Sequence, residues 1–323
     1  MEKDMKKFAL FIGCNIPVRV QQYELSARAV LNRLGIDTVD IDDFNCCGYP
    51  LKNINREGWL ISAARNIALA EKEECNILIL CKCCFGSLKK ADALLREDGT
   101  ARERINGILS KEGLNYTGDC TINHLLSVLH NDVTIKVLDE KIAEHYKDLR
   151  IATHYGCHAL RPSDIMEFDD PAAPSLFDDL VNVTGASSIE WASKLECCGA
   201  PALGINDSLS RSLTENKLKS AEKAGAHFLC VSCPFCQMQF DKVQELLKQD
   251  GSKEYNIPSI LYTQLLGLRL GLTKEALGLE IDGKNKVSNA ALEKLLETRE
   301  KKVKKKKKKK KAAGKPAGKK VKA

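Results

Sequence analysis

The strongest constraint on the fold of this chain is an internal repeat of cysteine motifs. A single cysteine, a vicinal pair and a CxxC motif occur in this order twice within 323 residues. FALFIGC ends at Cys14 and RIATHYGC at Cys157, CCGYP begins at Cys46 and CCGAP at Cys197, and CKCC begins at Cys81 and CPFC at Cys233. The copies lie 143, 151 and 152 residues apart, so they stay in register except for one insertion after Cys157. Such a repeat predicts two domains of the same fold, related by a pseudo-twofold axis.

Short apolar runs typical of β-strands lead into these motifs. They cover residues 8–12, 77–80, 151–153 and 227–231. Amphipathic helical patterns lie between them, at residues 22–34, 57–74 and 207–224. The alternation of strands and helices predicts an α/β fold in which each copy is a parallel, Rossmann-like sheet with flanking helices. Ligands of such sheets bind beyond the carboxyl ends of the strands, and the cysteines fall there.

The repeat divides the chain into three predicted parts. The first cysteine-rich domain covers residues 1–149 and closes with a helical segment over about 122–149. The second covers 150–285 and ends in a strand and a short helix within 257–272. Residues 286–323 are expected to form an exposed helix and a disordered lysine-rich tail, because the tail has almost no apolar residue to bury.

Charge and hydropathy exclude several classes of partner. Fourteen of the 50 basic residues lie within 301–323, which leaves 36 basic against 43 acidic residues in the rest of the chain. The body is therefore acidic and offers no basic face to nucleic acid. The best apolar stretch, at 257–272, is interrupted by Gln264 and Arg269, so no membrane span is predicted. Fourteen cysteines without a secretion signal predict a cytoplasmic protein.

Ten cysteines belong to the repeat and form two sets of five. The first set is Cys14, Cys46, Cys47, Cys81 and Cys84, and the second set is Cys157, Cys197, Cys198, Cys233 and Cys236. Thiolates bind iron–sulfur clusters or zinc, and a CxxC turn directs two sulfurs at one centre. A structural zinc ion takes four ligands and would leave a fifth cysteine spare, so the sets favour clusters, with zinc in one domain as an alternative. If the cysteines were only small buried packing residues, there would be no reason for the same spacing to occur twice.

These motifs resemble the B subunit of heterodisulfide reductase, which has two copies of the cysteine-rich domain named for its CCG motif. The resemblance covers about residues 6–275 and includes HYGCHALRP at 154–162 and YTQLLGL at 262–268. It implies that each set holds a noncubane [4Fe–4S] cluster, with a disulfide substrate bound between the two. The chain departs from the family in the slightly shorter spacing between each vicinal pair and its CxxC motif. Cys83, inside the first CxxC, is an alternative ligand to Cys84, although Cys84 aligns with Cys236.

Disulfide reduction requires two electrons and two protons, whereas an iron–sulfur centre normally passes electrons singly. Two equivalent sets therefore match two substrate sulfurs, and we expect each sulfur to be captured by iron of one set. The alternative is attack by a free cysteine, which would use one of the four residues outside the sets. These are Cys75, Cys83, Cys120 and Cys230.

His154 and His158 flank Cys157 and are the candidate catalytic residues. An imidazole there could deliver a proton to a leaving thiolate or hydrogen-bond a cluster sulfur. The first copy has no equivalent histidine. A simpler interpretation is that one histidine orients the loop.

The sequence thus predicts the catalytic subunit of a heterodisulfide reductase-like oxidoreductase, acting on a heterodisulfide of the CoM-S-S-CoB type or on another disulfide. It contains neither a GxGxxG loop for a dinucleotide nor the CxxCxxCxxxCP run of ferredoxins. Electrons are therefore expected from two partners. The resemblance implies a ferredoxin-like iron–sulfur subunit, similar to the C subunit of heterodisulfide reductase, and a flavin subunit similar to its A subunit. Two alternatives are an electron-transfer subunit of a dehydrogenase without its own substrate and a structural zinc module.

Overall fold

Two parallel sheets of four strands form the framework of the protein. The computed structural model describes residues 7–251, 254–281 and 284–285. The first sheet contains β1 (Phe8–Phe11), β2 (Thr38–Val39), β3 (Asn76–Ile79) and β4 (Ile122–His124), in the order β2-β1-β3-β4. The second contains β5 (Arg150–Thr153), β6 (Ser187–Ser188), β7 (Phe228–Val231) and β8 (Ser259–Leu261), in the order β6-β5-β7-β8. A short antiparallel pair follows, β9 (Glu280–Ile281) and β10 (Lys284–Asn285).

Helices cover both sheets. Those of the first half are α1 (Ile16–Arg19), α2 (Gln21–Leu34), α3 (Arg56–Lys72), α4 (Lys82–Glu97), α5 (Gly99–Leu109), α6 (Leu125–Ser127) and α7 (Ile135–Lys141), with a π-helical segment at Val128–Thr134. Those of the second half are α8 (Cys157–Leu160), α9 (Ser163–Met166), α10 (Leu176–Val183), α11 (Asp207–Lys223), α12 (Pro234–Gln249) and α13 (Tyr262–Arg269). Short 3₁₀ turns lie at Tyr49–Leu51, Ser110–Glu112 and Ala200–Ala202.

The strand order places a ligand-binding crevice in each half. From β1 the chain goes first to β2 on one side and then to β3 on the other, and β5, β6 and β7 repeat this path. The topological switch therefore lies between β1 and β3, and between β5 and β7. Cys14 and Cys81 follow the first pair of strands, and Cys157 and Cys233 follow the second. Each cysteine set thus begins at the switch point, where parallel α/β sheets bind their ligands.

The two halves pack against each other over a buried interface. Helix α2 lies on α13, where the Ser26 and Thr263 hydroxyl oxygens are 2.7 Å apart. Helix α4 lies on α8 and α9, and a Cβ atom at Gly86 would approach the carbonyl oxygen of His158 to 2.8 Å. Glycine at this position therefore allows the two halves to come close together.

The predicted α/β fold with two repeated domains is confirmed, and so are the strand and short helix predicted within 257–272. The predicted helix over 122–149 is wrong at both ends. Ile122 begins strand β4, which pairs with β3, and regular helix ends at Lys141. Strand β4 has only three residues, including the polar Asn123 and His124, and it leads directly into helix α6, so it carries no strand pattern of its own. Residues 286–323 lie outside the described residues, and the domain boundary at 149/150 stays a prediction.

Candidate metal centre

Both CxxC motifs lie where a strand gives way to a helix. Cys81 follows β3 as the residue before α4, and Cys233 follows β7 as the residue before α12. Cys84 and Cys236 lie in the first turns of these helices. The amino-terminal end of a helix stabilises negative charge, so this position favours the thiolate, which is the form that binds metal.

Both vicinal pairs are followed by a glycine with a left-handed backbone. Gly48 has φ 76° and Gly199 has φ 91°. A Cβ atom would lie 3.0 Å from the carbonyl oxygen of Trp59 in the first half, and 2.5 Å from that of Ser210 in the second. The CCG motif therefore requires glycine for its backbone angle and for the close approach of helix α3 or α11.

The first set of cysteines forms a connected series that starts at the surface. Cys14 is exposed and lines one surface cavity with Cys46, which lies against Cys47. Cys47 lies against Cys84, and Cys84 against Cys81. All members after Cys46 are buried. The spacing of the motifs in sequence is thus converted into one continuous group of sulfurs.

The second set repeats this series. Cys157 lies against Cys197, and Cys197 against Cys198. The sulfurs of Cys198 and Cys236 are 3.6 Å apart, and Cys236 lies against Cys233. The order of contacts is the same as in the first half. The described structure therefore brings together all five members of each predicted set.

The two series meet at the interface between the halves. The sulfurs of Cys81 and Cys233, the first cysteines of the two CxxC motifs, are 3.9 Å apart. Beside them the Tyr23 hydroxyl lies 2.7 Å from the hydroxyl of Ser232 and donates to the carbonyl oxygen of Leu80 at 2.8 Å. The ten repeated cysteines therefore form one group that crosses the interface.

A small cavity of about 30 Å³ lies on the second-half side of this junction. It is lined by side chains of both halves, including Tyr49 and Lys82 from the first and His154, His158 and Phe235 from the second. Both candidate catalytic histidines thus share one cavity with cysteines of the second set. The sequence had placed them only on either side of Cys157.

The two histidines have different surroundings. His154 is buried against the ring of Phe240, and neither ring nitrogen has a hydrogen-bond partner among the described residues. His158 is within 3.2 Å of the Cys83 sulfur through Nδ1 and within 3.4 Å of the Tyr49 hydroxyl through Nε2. Burial lowers the pKa of both imidazoles, so both are neutral at pH 7.

Neighbouring thiols lower the pKa of three cysteines at the centre of the site. The largest contribution comes from Cys46 for Cys47, from Cys157 for Cys197, and from Cys236 for Cys233. Each of these sulfurs accepts hydrogen bonds that stabilise its anion. Both halves therefore contain thiolate character at neutral pH, as a metal-binding cysteine group requires.

The four cysteines outside the sets lie in different places. Cys75 and Cys120 line a separate cavity of about 570 Å³ at the opposite ends of the strands, far from the junction in the fold. Cys230 is fully buried within β7. Cys83 lies at the interface, against Cys81, Cys233 and His158, whereas Cys84 lies against Cys47 of its own set.

Three residues of the site were not identified from the sequence. Lys82 is buried inside the first CxxC motif and donates to the carbonyl oxygen of His154 across the interface at 3.2 Å. Tyr49 follows the first CCG motif where the second has Ala200. Lys217 is buried in α11 behind the second vicinal pair. The available signal was that Lys82 and Tyr49 lie inside the repeated motifs and differ between the copies.

The residues present fit iron–sulfur clusters better than single zinc ions. The structure contains two groups of three residues whose donor atoms lie within 4.8 Å of one another inside each group. One group is Cys81, Cys83 and Cys233, and the other is His154, Cys198 and Cys236. Nearly all donors are sulfur, which suits soft iron–sulfur or zinc chemistry. A four-coordinate zinc ion would leave one cysteine of each series without a metal, whereas a cluster of several irons has room for five.

Fold and site together define a duplicated α/β protein whose halves meet at a cysteine-rich group that could bind metal. The family model described as "Cysteine-rich domain", abbreviated CCG, matches residues 8–89 and 151–241. A protein of Methanosarcina mazei, named as the B subunit of a ferredoxin:CoB-CoM heterodisulfide reductase, is 36% identical over 281 residues, which are 85% of this chain and 93% of the relative. The chain belongs to this family of proteins with duplicated CCG domains, which includes the B subunit of heterodisulfide reductase.

Other similar proteins have different names. A Wolinella succinogenes protein named "8-methylmenaquinol:fumarate reductase membrane anchor subunit" is 33% identical over 275 residues, 85% of this chain and 95% of the relative. A crystal structure of a hypothetical protein from Helicobacter pylori superposes with a TM-score of 0.66 at 20% identity, over 85% of this chain and 51% of that one, and it supports the fold. No helix within the described residues is long and apolar enough to cross a membrane.

Proposed function

We propose that this chain is the disulfide-reducing subunit of a heterodisulfide reductase-like complex and that each five-cysteine set holds a noncubane [4Fe–4S] cluster. The observation that supports this most strongly is the single group of ten repeated cysteines, which runs from each half to the interface. The name of the Methanosarcina relative supports the same reaction class.

The proposed reaction is R–S–S–R′ + 2 e⁻ + 2 H⁺ → RSH + R′SH. Iron–sulfur clusters, when bound, would supply the two electrons one at a time. The substrate would enter at the cavity between the halves, because residues of both line it. The buried part of its lining, which includes His154, Cys233 and Lys82, would exclude water from the reacting sulfurs.

The protons are assigned to the two histidines. Tyr49 is only partly buried and contacts His158 Nε2, so it connects the cavity with solvent. His158 is therefore placed to pass a proton from Tyr49 to a sulfur in the cavity. His154 has two ring nitrogens without a partner among the described residues, and one N–H could donate to a substrate or cluster sulfur.

Electrons would come from two partners, a ferredoxin-like iron–sulfur protein and a flavin protein of the same complex. The sequence lacks the motifs for holding a dinucleotide or a ferredoxin cluster itself. All cysteines of the chain are free, and a cytoplasmic complex would keep them reduced.

Electron paramagnetic resonance of the anaerobically purified chain tests this function. The spectrum of oxidised protein is recorded before and after addition of a thiol, and thiol release from a disulfide is then measured with a chemical electron donor. We expect a signal that appears only with thiol and a steady release of two thiols per disulfide. His158→Gln should slow release at high pH more than at low pH if it delivers a proton, and His227→Gln, on a partly exposed histidine outside the site, is its control.

The second candidate is an electron-transfer subunit without its own substrate. It is favoured by the Wolinella relative, which matches this chain almost as completely and is named for fumarate reduction. This candidate predicts clusters that can be reduced and oxidised but do not respond to thiol. Iron present, with neither a thiol-dependent signal nor disulfide turnover, would therefore replace the first proposal with the second.

A further inference from the structure

One position behind the vicinal cysteines differs in charge between the two halves. Helices α3 and α11 are both 17 residues long, and each is capped by an asparagine, Asn55 and Asn206. The eleventh residue is Asn66 in α3 and Lys217 in α11. Both side chains are fully buried. The repeat therefore gives a direct comparison of a neutral and a basic residue at one place in the fold.

Both residues hold the loop that leads into the vicinal pair. The Asn66 amide accepts from the backbone N–H of Asn45 at 2.9 Å and donates to the carbonyl oxygen of Cys46 at 3.2 Å. The Lys217 ammonium donates to the carbonyl oxygens of Ser193 and, at 3.1 Å, Glu196. Since a neutral amide is sufficient for this contact in the first half, the contact alone does not require the charge of Lys217.

The charge of Lys217 acts on the second cysteine set. Burial lowers its pKa to about 8, against the opposing effect of Cys198, Glu196, Cys236 and Cys197, so the amine is mostly protonated at pH 7. The ammonium also lies 4.5 Å from the centre of the Trp191 ring. The buried ammonium therefore lies between Trp191 and the loop that leads into the second vicinal pair.

Lys82 is a second buried lysine whose ammonium lies among residues of the second half. Although it belongs to the first CxxC motif, its ammonium donates to the carbonyl oxygen of His154 at 3.2 Å and lies 4.8 Å from the centre of the Phe177 ring, both in the second half. The matching residue of the second CxxC motif is Pro234, which has no charge to place near the first set. Arg28 and Arg65, which lie near the loops of the first set, are partly exposed and paired with carboxylates.

We propose that Lys217, assisted by Lys82, raises the reduction potential of the cluster held by the second cysteine set above that of the first. This inference rests on the proposed function, since it requires clusters in both halves. Reduction adds one negative charge, and a buried ammonium stabilises the reduced state more than a neutral amide does. One electron lost by the first cluster is gained by the second, so an electron entering at the exposed Cys14 end moves inward to the histidine-lined cavity.

Reciprocal substitutions test the proposal in the full-length, cluster-loaded chain. Lys217→Asn gives the second half the residue of the first, and Asn66→Lys does the reverse. The readout is a potentiometric titration followed by electron paramagnetic resonance, and Cys84→Ser assigns which signal belongs to the first half. We expect Lys217→Asn to lower the second potential by about 59 mV, a tenfold change of the one-electron equilibrium, and to leave the first unchanged. Asn66→Lys should raise the first potential by a similar amount.

Two further variants separate charge from structure. Lys217→Gln is neutral but longer than asparagine and should shift the potential as Lys217→Asn does, whereas Lys217→Arg should leave it unchanged. Iron-loaded neutral variants with unchanged potentials, or equal shifts in both halves, would overturn the inference and leave the proposed function intact. A wild-type chain that binds no iron would overturn both.

Discussion

The two halves fill the space beneath their cysteine loops with side chains of different size at matched positions. In the first half Trp59 packs beneath Gly48, and its indole N–H donates to the Ser87 hydroxyl at 2.8 Å. That hydroxyl donates to the carbonyl oxygen of Cys47 at 2.7 Å. A large aromatic side chain on α3 and a small hydroxyl on α4 thus support the loop.

In the second half the sizes are exchanged between the two helices. Ser210 on α11 matches Trp59, and Gln239 on α12 matches Ser87. The Gln239 amide donates to the hydroxyls of Ser210 and Thr214, each at 2.8 Å, and Thr214 donates to the carbonyl oxygen of Cys198 at 2.8 Å. The comparison teaches that the halves keep a filled volume and a hydrogen bond to the cysteine loop, while residue identity and charge are free to differ.

The largest effect on stability is expected from Trp59→Ser. Removing this buried indole leaves a cavity and costs about 3–5 kcal/mol of unfolding free energy. Adding Ser87→Gln introduces the partner found in the second half and should recover at least about 1 kcal/mol, because it refills part of that cavity. Denaturant unfolding measures both variants. A double variant no more stable than Trp59→Ser would show that the two helices do not compensate as the comparison indicates.

Gly199→Ala tests the tighter of the two CCG turns. The left-handed backbone costs about 1–2 kcal/mol for a non-glycine residue, and the clash with the Ser210 carbonyl adds about 1–3 kcal/mol. The matched control is Gly35→Ala, because Gly35 has φ 79° but no atom within 4 Å of an added Cβ. Denaturant unfolding should show a larger loss for Gly199→Ala, and equal losses would remove the close approach as the reason for glycine.

Asp241 of α12 lies at the position that Lys89 has in α4, and it is expected to make stability depend on pH. Asp241 has an exposed edge, but desolvation of its carboxyl by neighbouring atoms raises its pKa to about 6, although Ser259 donates to it at 2.6 Å. The folded state therefore favours the protonated acid. The contribution of Asp241 to the free energy of unfolding is lost as the pH rises from about 4 through 6. Asp241→Asn keeps the acceptor and should stabilise the protein by about 0.5–1 kcal/mol at pH 7.5, since water screens an exposed carboxyl, and by almost nothing at pH 4. A gain that is the same at both pH values would contradict this assignment.

The smallest effect is expected from Lys89→Gln. Lys89 pairs with Glu167 across the two halves at 2.9 Å, and that carboxylate is 72% exposed. Exposed ion pairs of this kind contribute about 0.2–1 kcal/mol and are screened by salt. The unfolding free energies of wild type and variant should therefore converge in about 0.5 M NaCl, where the Debye length falls to ~4 Å. A difference that persists at high salt would indicate a role beyond charge.

Much of the fold followed from the sequence because the repeat related the motifs to the strands. The runs before Cys14, Cys81, Cys157 and Cys233 are strands close to the predicted bounds. The two-residue strands β2 and β6 were not identified, since two residues carry no periodic pattern. Strand β4 was assigned to a helix because its pairing with β3 is a long-range contact.

The site was predicted less completely than the fold. The repeat identified which cysteines belong together, but it did not show that Cys81 and Cys233 meet at the interface. Lys82 and Lys217 were not identified because a lysine in an amphipathic pattern usually lies at the surface. Their burial depends on contacts between segments far apart in sequence, and the ligand roles of the ten cysteines remain a prediction.

The central claim is that the two cysteine sets hold two iron–sulfur clusters. It is tested most directly by iron, sulfide and zinc analysis of the anaerobically purified full-length chain and of four cysteine variants. Two [4Fe–4S] clusters predict about eight irons in the wild type, about four in Cys84→Ser and in Cys236→Ser, and about eight in the controls Cys83→Ser and Cys230→Ser. Zinc in place of iron, or an equal loss of iron from Cys83→Ser and Cys84→Ser, would contradict the assignment of the two sets.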